Sequence, residues 1–351
     1  MRPGIAPELY RMGRVREILN PPAAMEPFCI MPIGFASGKF ASKILNFIAC
    51  KSALAFWAWE EFTFLEERMF ISQSKIDDLI ASDGAFLDLT TELLQDFVDL
   101  GAPARLSIVT RQDLIFSGGG IAREVAARFG CETQHLAREG SAFCAGDEIF
   151  SAQGSFESLH KAWKIVQIVF EYSCKISTYA HEMVALMREA NPRCVLGATR
   201  KSFPFAKELC VNALIAGGGT MHRLGLHDSV LFFSNHIRAF ASFSEFCTQI
   251  AKFKERAPER KIMIEVASER EFSELLKYAP DAIMCDKMSP GELRACVLRR
   301  DETAPQIKIC AAGGINKNNC AEFAATGADV LVSSAVWNQG VCDLGGKIEF
   351  I

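Results

Sequence analysis

The feature that most constrains the fold is a regular alternation of short apolar runs and helical stretches in the C-terminal half of the chain. Six runs of strand length are predicted, at residues 195–199, 229–234, 262–266, 282–286, 307–311 and 329–333. Helices are predicted between them, at residues 205–216, 239–256, 269–278, 290–299 and 317–326. Strands that alternate with helices pair in parallel, so the pattern predicts an α/β domain on a parallel sheet.

Polar residues lie at the C-terminal ends of these predicted strands. They are Thr199, Arg200, Lys201, Asn235, His236, Glu265, Asp286, Gly313, Gly314, Ser333 and Ser334. In parallel α/β barrels the chemistry lies at these ends of the strands. We therefore favour a closed or nearly closed barrel, with a doubly wound open sheet as the alternative.

Positive charge is concentrated around the first two strands of the pattern. Arg200 and Lys201 follow the first strand, and His222 and Arg223 precede the second. A buried core has no use for so many cations, so this set predicts a site for an anion. A solvated basic loop is the alternative.

Two carboxylates, Glu265 and Asp286, end neighbouring strands within apolar surroundings. Beside a phosphate they would suit Mg²⁺, which commonly takes one or two carboxylates plus substrate phosphate oxygens. The alternative is a structural salt bridge from each carboxylate to Arg200, Lys201 or Lys287.

Two turns near the last strands favour phosphate binding. The run Ala311-Ala-Gly-Gly-Ile315 follows a strand and precedes a helix that is expected to begin near Asn316. Gly313 and Gly314 would let backbone N–H groups approach a phosphate, and Ser334 offers a hydroxyl one unit later. Tight turns without a ligand are the alternative.

Cations, carboxylates and a phosphate turn at one rim fit the transfer of a phosphoribosyl group from a diphosphate donor to an anionic acceptor. The carboxylates would stabilise the oxocarbenium-like carbon, and Mg²⁺ with the cations would stabilise the leaving pyrophosphate. Another phosphate-binding barrel, such as an aldolase or isomerase, explains the glycine turn but not His222 and Arg223.

The N-terminal half of the sequence does not show the regular alternation of strands and helices that predicts the barrel. Residues 1–68 are either a disordered extension or sequence ahead of a true start at Met69, which we favour. Residues 69–180 carry short, mixed strand and helix signals that predict an α+β domain. Residues 156–190 form a long helical stretch, with a break near Ser177 as one option. Residues 181–351 would hold the barrel, with the chain end packing back on the first domain.

The composition excludes several classes of protein. The chain of 351 residues has a net charge of -4, which gives no general attraction for nucleic acid. It has no run of about 18 uninterrupted apolar residues, so no membrane span is predicted. Its 13 cysteines include no C-x-x-C pair, which argues against zinc and thioredoxin sites. We interpret them as reduced thiols of a cytoplasmic protein.

Nine short motifs are spaced over the region from about Met69 to Ile351. They are Asp88-Leu-Thr-Thr91, His160-Lys-Ala-Trp-Lys164, Thr199-Arg-Lys201, Gly217-Gly-Gly219, His222-Arg-Leu-Gly-Leu226, Asn235-His236, Ile264-Glu-Val266, Cys285-Asp-Lys287 and Ala311-Ala-Gly-Gly-Ile-Asn316. As a set they resemble the quinolinate phosphoribosyltransferase family, also called nicotinate-nucleotide pyrophosphorylase (carboxylating). The resemblance is greatest to its ModD branch, found with molybdenum transport systems.

The resemblance implies an N-terminal α/β sandwich, a C-terminal incomplete, TIM-like α/β barrel, and a homodimer with shared active sites. It also implies roles by motif position. The acceptor carboxylates would be held by Arg200, His222 and Arg223, with Lys164 reaching in from the partner subunit. The donor and pyrophosphate would lie by Lys201, the metal-bound ribose diphosphate by Glu265 and Asp286, and the phosphate by Gly313, Gly314 and Ser334.

The implied activity is Mg²⁺-dependent ribosylation of quinolinate, or of a related pyridine or aromatic acid, by phosphoribosyl diphosphate. Quinolinate would give nicotinate mononucleotide, CO₂ and pyrophosphate. Four positions depart from the family pattern: Phe233 replaces a lysine, Lys164 an arginine, Ile168 an asparagine and Lys175 a glycine. The first two substitutions leave the identity of the acceptor substrate open more than that of the donor. A non-catalytic accessory protein of molybdenum transport is the alternative.

Overall fold

A computed structural model of the chain describes residues 71–84 and 88–351. The expectations for residues 1–68 fall outside this range. Within it, the chain builds an antiparallel sheet, a parallel sheet and a short two-stranded ribbon, with helices packed against both sheets.

The N-terminal part combines strands and helices, as the α+β prediction requires. Its strands are β1 (Pro103–Thr110), β2 (Leu114–Ile115), β3 (Glu132–Leu136), β4 (Ala142–Phe143) and β5 (Glu148–Ser155). Its helices are α1 (Gln73–Gly84), α2 (Leu89–Glu92), α3 (Gly119–Arg128) and α4 (Phe156–Ala190). The antiparallel sheet contains β1, β5 and β3, and the final strand of the chain joins it beside β1. Because Ala104, Leu106 and Ile108 are buried in alternation, β1 packs one face on a core.

Helix α4 is continuous over 35 residues, so the predicted option of a break near Ser177 is wrong. The Ser177 hydroxyl donates to the backbone oxygens of Ile115 and Cys174, which satisfies it without interrupting the helix. Phe170 packs in the N-terminal core and Met183 in the barrel core, so this one helix belongs to both. No helix within residues 71–84 and 88–351 is long and apolar enough to cross a membrane.

The C-terminal part forms a parallel sheet of seven strands with helices between them. The strands are β6 (Val195–Ala198), β7 (Thr220–Met221), β8 (Val230–Phe232), β9 (Ile262–Val266), β10 (Ala282–Asp286), β11 (Lys308–Ala312) and β12 (Val330–Ser333). The helices are α5 (Lys207–Ala216), α6 (Ser234–Ile237), α7 (Phe243–Cys247), α8 (Ile250–Arg256), α9 (Glu269–Leu275), α10 (Pro290–Thr303) and α11 (Cys320–Ala324). The chain ends with β13 (Leu344–Phe350).

The strand order β7-β6-β12-β11-β10-β9-β8 identifies an incomplete barrel. The first barrel strand, β6, pairs in parallel with the last, β12, and places Leu196 opposite Leu331. A doubly wound open sheet does not join its first and last strands, so that alternative is wrong. The sheet ends at β7 and β8, where the barrel stays open.

Two predicted helices differ from those in the structure. The stretch 239–256 forms two helices, α7 and α8, because the chain leaves the helix at Thr248 and Gln249. Helix α11 begins at Cys320 and not near Asn316. The Asn316 and Asn319 side-chain amides both bond to the backbone oxygen of Gly314, which holds this segment as a turn.

Side chains of the barrel strands alternate between the helix layer and the barrel interior. On β9, Ile262 and Ile264 pack under the helices, whereas Met263 packs on a small interior cluster. The buried members of this interior cluster, among the described residues, are Leu231, Met284, Cys310 and Val332. By the same period of two, Glu265 and Asp286 face the interior at the C-terminal end of the sheet.

Gly217 follows α5 and lies against helix α4. A Cβ atom there would overlap the backbone oxygen of Ser177 and lie 2.7 Å from the Cβ of Ala180. We expect Gly217→Ala to lower the free energy of unfolding by about 1–3 kcal/mol, because neither neighbour can move easily. Denaturant unfolding of the full-length chain measures this change.

Gly291, on α10, is the matched control. The nearest atom to a Cβ at this position would be 4.0 Å away, so Gly291→Ala should leave stability unchanged or slightly higher. Equal losses of stability in the two variants would contradict the packing of α5 on α4.

Candidate active site

Glu265 and Asp286 lie on neighbouring strands at the C-terminal end of the barrel sheet. Glu265 is level with Met284, so the two carboxylates lie diagonally across β9 and β10. Burial and then the charge of Asp286 raise the pKa of Glu265. The backbone N–H of Ser234 and the charges of two nearby lysines, Lys287 and Lys201, act in the opposite direction. The structure therefore brings both predicted carboxylates and Lys201 into one electrostatic group.

Neither carboxylate is neutralised at close range. Within residues 71–84 and 88–351, no ion pair of 4.0 Å or less joins Glu265 or Asp286 to a cationic side chain. The salt-bridge alternative is therefore not observed. The same ranges contain no cluster of three or more His, Cys, Asp or Glu side chains that could hold a metal ion. A divalent cation at these two carboxylates would draw its other ligands from substrate oxygens and water, which fits the chemistry of Mg²⁺.

Lys287 also belongs to the electrostatic group of Glu265, Asp286 and Lys201. It was not among the residues predicted for the site. Its backbone has a φ of 58°, and its N–H donates to the Ala312 oxygen at 2.7 Å. A Cβ at Gly313 would lie 2.8 Å from the Lys287 nitrogen, so the two backbones pack directly together. The sequence had pointed to Lys287 only as a possible salt-bridge partner of the carboxylates and as part of the motif Cys285-Asp-Lys287.

The glycine turn after β11 is held by side chains from its own loop and from α4. Gly313 and Gly314 both have positive φ, at 97° and 76°. The Lys317 N–H donates to the Tyr179 hydroxyl oxygen at 3.0 Å, and Lys317 Nζ pairs with Glu182 at 2.7 Å. Because α11 starts later than predicted, phosphate binding here would depend on the N–H groups of the turn itself.

Ser333 is the last residue of β12, and Ser334 follows it beside this turn. The Ser333 hydroxyl is fully engaged, since it donates to the Ile315 oxygen at 2.6 Å and accepts from the Ala335 N–H at 3.0 Å. Ser334 is half-buried and precedes a short 3-10 helix, Ala335–Trp337. Of the two serines, Ser334 is therefore the one whose hydroxyl could reach a ligand, and its role in phosphate binding stays a prediction.

Arg223 is a buried cation that follows β7 (Thr220–Met221) at the rim. Only 7% of the residue is exposed, and its Nη1 donates one long bond of 3.4 Å to the Ser229 oxygen. The Phe233 ring lies over the guanidinium, with 5.7 Å from Cζ to the ring centre. Burial and then the charge of Arg200 lower the pKa of Arg223, against an opposing effect of Asp228. A solvated basic loop does not bury its arginine, so that alternative does not describe this site.

His222 lies next to Arg223 as an uncharged imidazole. Burial and the charge of Arg223 lower its pKa to about 4. Its Nε2 atom is buried and has no hydrogen-bond partner within the described chain. Gly197 lies across from it, and a Cβ at Gly197 would be 3.4 Å from the His222 Cβ. Asp228 accepts from the Leu224 N–H at 2.8 Å, and its charge acts to raise the pKa of both His222 and Arg223.

Lys164 is the predicted site residue that the structure does not bring to the rim. It lies exposed on α4, in the N-terminal part. Its Nζ atom is 4.1 Å from the Trp163 ring centre and 3.5 Å from the Gln167 Oε1 atom. Those contacts are local to the helix, so Lys164 takes no part in the cation group of its own barrel.

The fold and the rim together define an incomplete α/β barrel with cationic and acidic side chains at its rim, and comparison with protein families identifies the class of protein more narrowly. The model for the quinolinate phosphoribosyl transferase N-terminal domain matches residues 88–174. The model for the C-terminal domain matches residues 176–344. The chain belongs to the quinolinate phosphoribosyltransferase family, which confirms the resemblance seen in its motifs.

Similar proteins include both branches of that family. The ModD protein of Pasteurella multocida, named provisionally as a pyrophosphorylase, is 33% identical over 281 residues, which are 80% of this chain and 99% of that protein. The nicotinate-nucleotide pyrophosphorylase (carboxylating) of Mycobacterium leprae is 27% identical over 264 residues, covering 74% and 90% of the two chains. The family is one of pentosyltransferases.

Solved structures confirm the predicted fold class. The nicotinate-nucleotide pyrophosphorylase of Francisella tularensis superposes with a TM-score of 0.72 at 22% identity, covering 80% of this chain and 98% of that chain. The NadC structure of Streptococcus pyogenes also gives a TM-score of 0.72, at 21% identity and 80% and 99% coverage. Both share the N-terminal sheet domain followed by the incomplete barrel.

The uncharged state of His222 can be measured. We expect its imidazole in the ligand-free chain to titrate at a pH of about 4, because burial and Arg223 disfavour the charged form. Side-chain NMR of the full-length protein, with the resonance assigned by its loss in His222→Asn, follows the titration. A midpoint near 6.5, the ordinary value for histidine, would contradict this environment.

Proposed function

We propose that this chain is a Mg²⁺-dependent phosphoribosyltransferase that uses phosphoribosyl diphosphate to ribosylate quinolinate or a related pyridine or aromatic carboxylate. The observation that carries the proposal is the meeting of two like-charged pairs at one rim. Arg200 lies close enough to Arg223 to lower its pKa, and Asp286 lies close enough to Glu265 to raise its pKa. Neither pair forms an ion pair of 4.0 Å or less with a counterion in the described chain, so each suits a ligand of opposite charge.

The donor would bind on the carboxylate side. Glu265 and Asp286 would hold Mg²⁺ on the ribose diphosphate, and Lys201 would lie beside the pyrophosphate. Gly313, Gly314 and Ser334 would bind the phosphate through the turn. The bound metal supplies charge stabilisation for the leaving pyrophosphate. The carboxylates would favour the positive charge that develops at the ribose carbon in the transition state.

The acceptor would bind on the cation side, with Arg200, His222 and Arg223 around its carboxylate groups. Its ring nitrogen would attack the ribose carbon as pyrophosphate leaves. With quinolinate, the positive charge placed on the ring makes loss of the 2-carboxylate as CO₂ easier, and the product is nicotinate mononucleotide. These roles are the ones that the resemblance to the family implies by motif position, and the charges of the side chains are compatible with them.

The active form would be a homodimer in which Lys164 of each subunit reaches the partner's site. Two observations support this arrangement. Lys164 is exposed and makes no contact with the rim of its own barrel in the described chain. The same N-terminal domain exposes Leu89, Leu93 and Phe97 by 71%, 76% and 81%. Apolar exposure of this extent is typical of a protein interface.

A non-catalytic accessory protein of molybdenum transport, with the same fold, is the second candidate. The Phe233 ring over Arg223 favours it, because an aromatic ring there offers no cation to an acidic acceptor. The electrostatic group of Glu265, Asp286, Lys201 and Lys287 favours the enzyme. Binding of a neutral molecule or of a simple anion does not need paired carboxylates.

Pyrophosphate release tests the proposal. The full-length chain, supplied with Mg²⁺, phosphoribosyl diphosphate and a panel of pyridine and aromatic carboxylates, should release pyrophosphate only when a suitable acid is present. Glu265→Gln and Arg223→Ala should each lower kcat/KM at least about a hundredfold, because each removes a charge that faces the transition state or acceptor. Circular dichroism checks that the variants stay folded.

Glu302→Gln, at the exposed end of α10, is the control for a lost carboxylate and should keep the activity of the wild type. Full activity in both site variants would overturn the assignment of the residues. Donor binding without pyrophosphate release for any acid would favour the accessory protein.

A further inference from the structure

Helix α4 carries three exposed residues, Lys164, Ile168 and Tyr172, at a spacing of four. Side chains that are four positions apart lie on the same face of a helix, so these residues form one stripe, which we call the α4 stripe. Ile168 and Tyr172 are large and apolar, yet both are exposed. The other faces of α4 pack into the N-terminal core and the barrel core. The α4 stripe is therefore an apolar surface that its own subunit leaves exposed.

Phe203 extends this surface towards the rim of the barrel. Its ring meets the Tyr172 ring edge-on, with 6.1 Å between the ring centres and an interplanar angle of 78°. Phe203 is itself exposed and follows Lys201 by two residues. One end of the α4 stripe is thus the Lys164 ammonium group. The other end reaches the segment that carries the cations after β6.

Phe205 lies two residues further along this segment and is 98% exposed. Its backbone has a φ of 66°, in the left-handed region. A residue with a Cβ atom is destabilised in this conformation, and such conformations persist mainly where they serve a function. Because the ring is exposed, packing within the subunit does not offset the strain. A large apolar side chain presented in this way indicates a contact with another molecule.

The α4 stripe fits a second copy of this chain, because its two ends are complementary. Lys164 is a cation, whereas the Tyr172 and Phe203 rings form the opposite end. An ammonium group is attracted to the face of an aromatic ring. Lys164 and Tyr172 are about 12 Å apart along α4, with Ile168 midway between them. A two-fold axis at Ile168 would therefore place each Lys164 against the partner's Tyr172, since two-fold contacts are reciprocal.

We infer that two copies of this chain pair through antiparallel α4 helices, with Ile168 at the two-fold axis and with Phe203 and Phe205 packed against the partner. The inference rests on the proposed function, and it identifies the surface that carries Lys164 to the partner's site. The two phenylalanines closely follow the cations after β6, so dimer formation also fixes the segment that holds those cations. A single subunit would hold an incomplete site.

Cross-linking tests the position of the axis without any measure of activity. A residue at a two-fold axis meets its own copy, so Ile168→Cys in the full-length chain should be joined to itself by a short bismaleimide. Leu298→Cys, on the exposed face of α10, is the matched control and should not be joined. The wild type, treated in parallel, accounts for its native cysteines. Denaturing electrophoresis measures the joined dimer.

Phe205→Gly tests the aromatic contact. We expect this change to weaken dimerisation at least about tenfold in analytical ultracentrifugation, because buried aromatic side chains dominate interface energies. Glycine adopts a positive φ without strain, so the thermal unfolding midpoint of the dissociated chain should not fall. A merely structural role for Phe205 would instead lower that midpoint. Ala279→Gly, at a positive φ of 47° outside the stripe, should leave dimerisation unchanged.

Several results would overturn the inference. They are a chain that stays monomeric at every concentration, a dimer in which Ile168→Cys is not joined, or unchanged association of Phe205→Gly. A monomer that protects Ile168→Cys from a maleimide label would show that its own chain covers the stripe, and would also overturn it. Joined dimers without pyrophosphate release would support the contact and count against the proposed function. Pyrophosphate release by a monomer would do the reverse.

Discussion

The pairing of β6 with β12 is the constraint on which the rest of the structure depends. The residues after β6 include Arg200 and Lys201, and the residues after β12 include Ser334 beside the glycine turn. When the first and last strands pair, the cationic residues after β6 join the same barrel rim as Glu265 and Asp286, at the C-terminal ends of β9 and β10. In an open sheet these groups would lie along one edge, too far apart to share a ligand.

The resulting rim holds like charges close together, and their repulsion lowers the stability of the unliganded protein. Arg200 disfavours the charge of buried Arg223, and Asp286 disfavours that of Glu265. The surrounding packing keeps these groups in place, since the Phe233 ring lies against Arg223 and packs on the interior cluster. Ligands of opposite charge relieve both repulsions. The free energy that these repulsions cost the unliganded protein therefore contributes to ligand binding.

Much of this could be predicted from the sequence, and the misses have physical causes. Periodicity predicted Ile262–Val266 and Ala282–Asp286 as the structure has them, because both strands are buried, apolar and bounded by helices. The two-residue strand Thr220–Met221 was missed because it is too short for a pattern. The start of α11 was misplaced because two asparagine side chains hold the turn. The contact of Phe233 with Arg223 joins residues on separate segments, so no local pattern could predict it.

The most direct test of the central claim, that the carboxylate side of the rim binds a metal-bound diphosphate donor, is calorimetric binding of phosphoribosyl diphosphate to the full-length chain. Titrations with and without Mg²⁺ separate the contribution of Glu265 and Asp286 from that of the glycine turn. The account predicts saturable binding that weakens sharply when Mg²⁺ is removed. Binding of equal strength with and without Mg²⁺, or no binding at all, would contradict it.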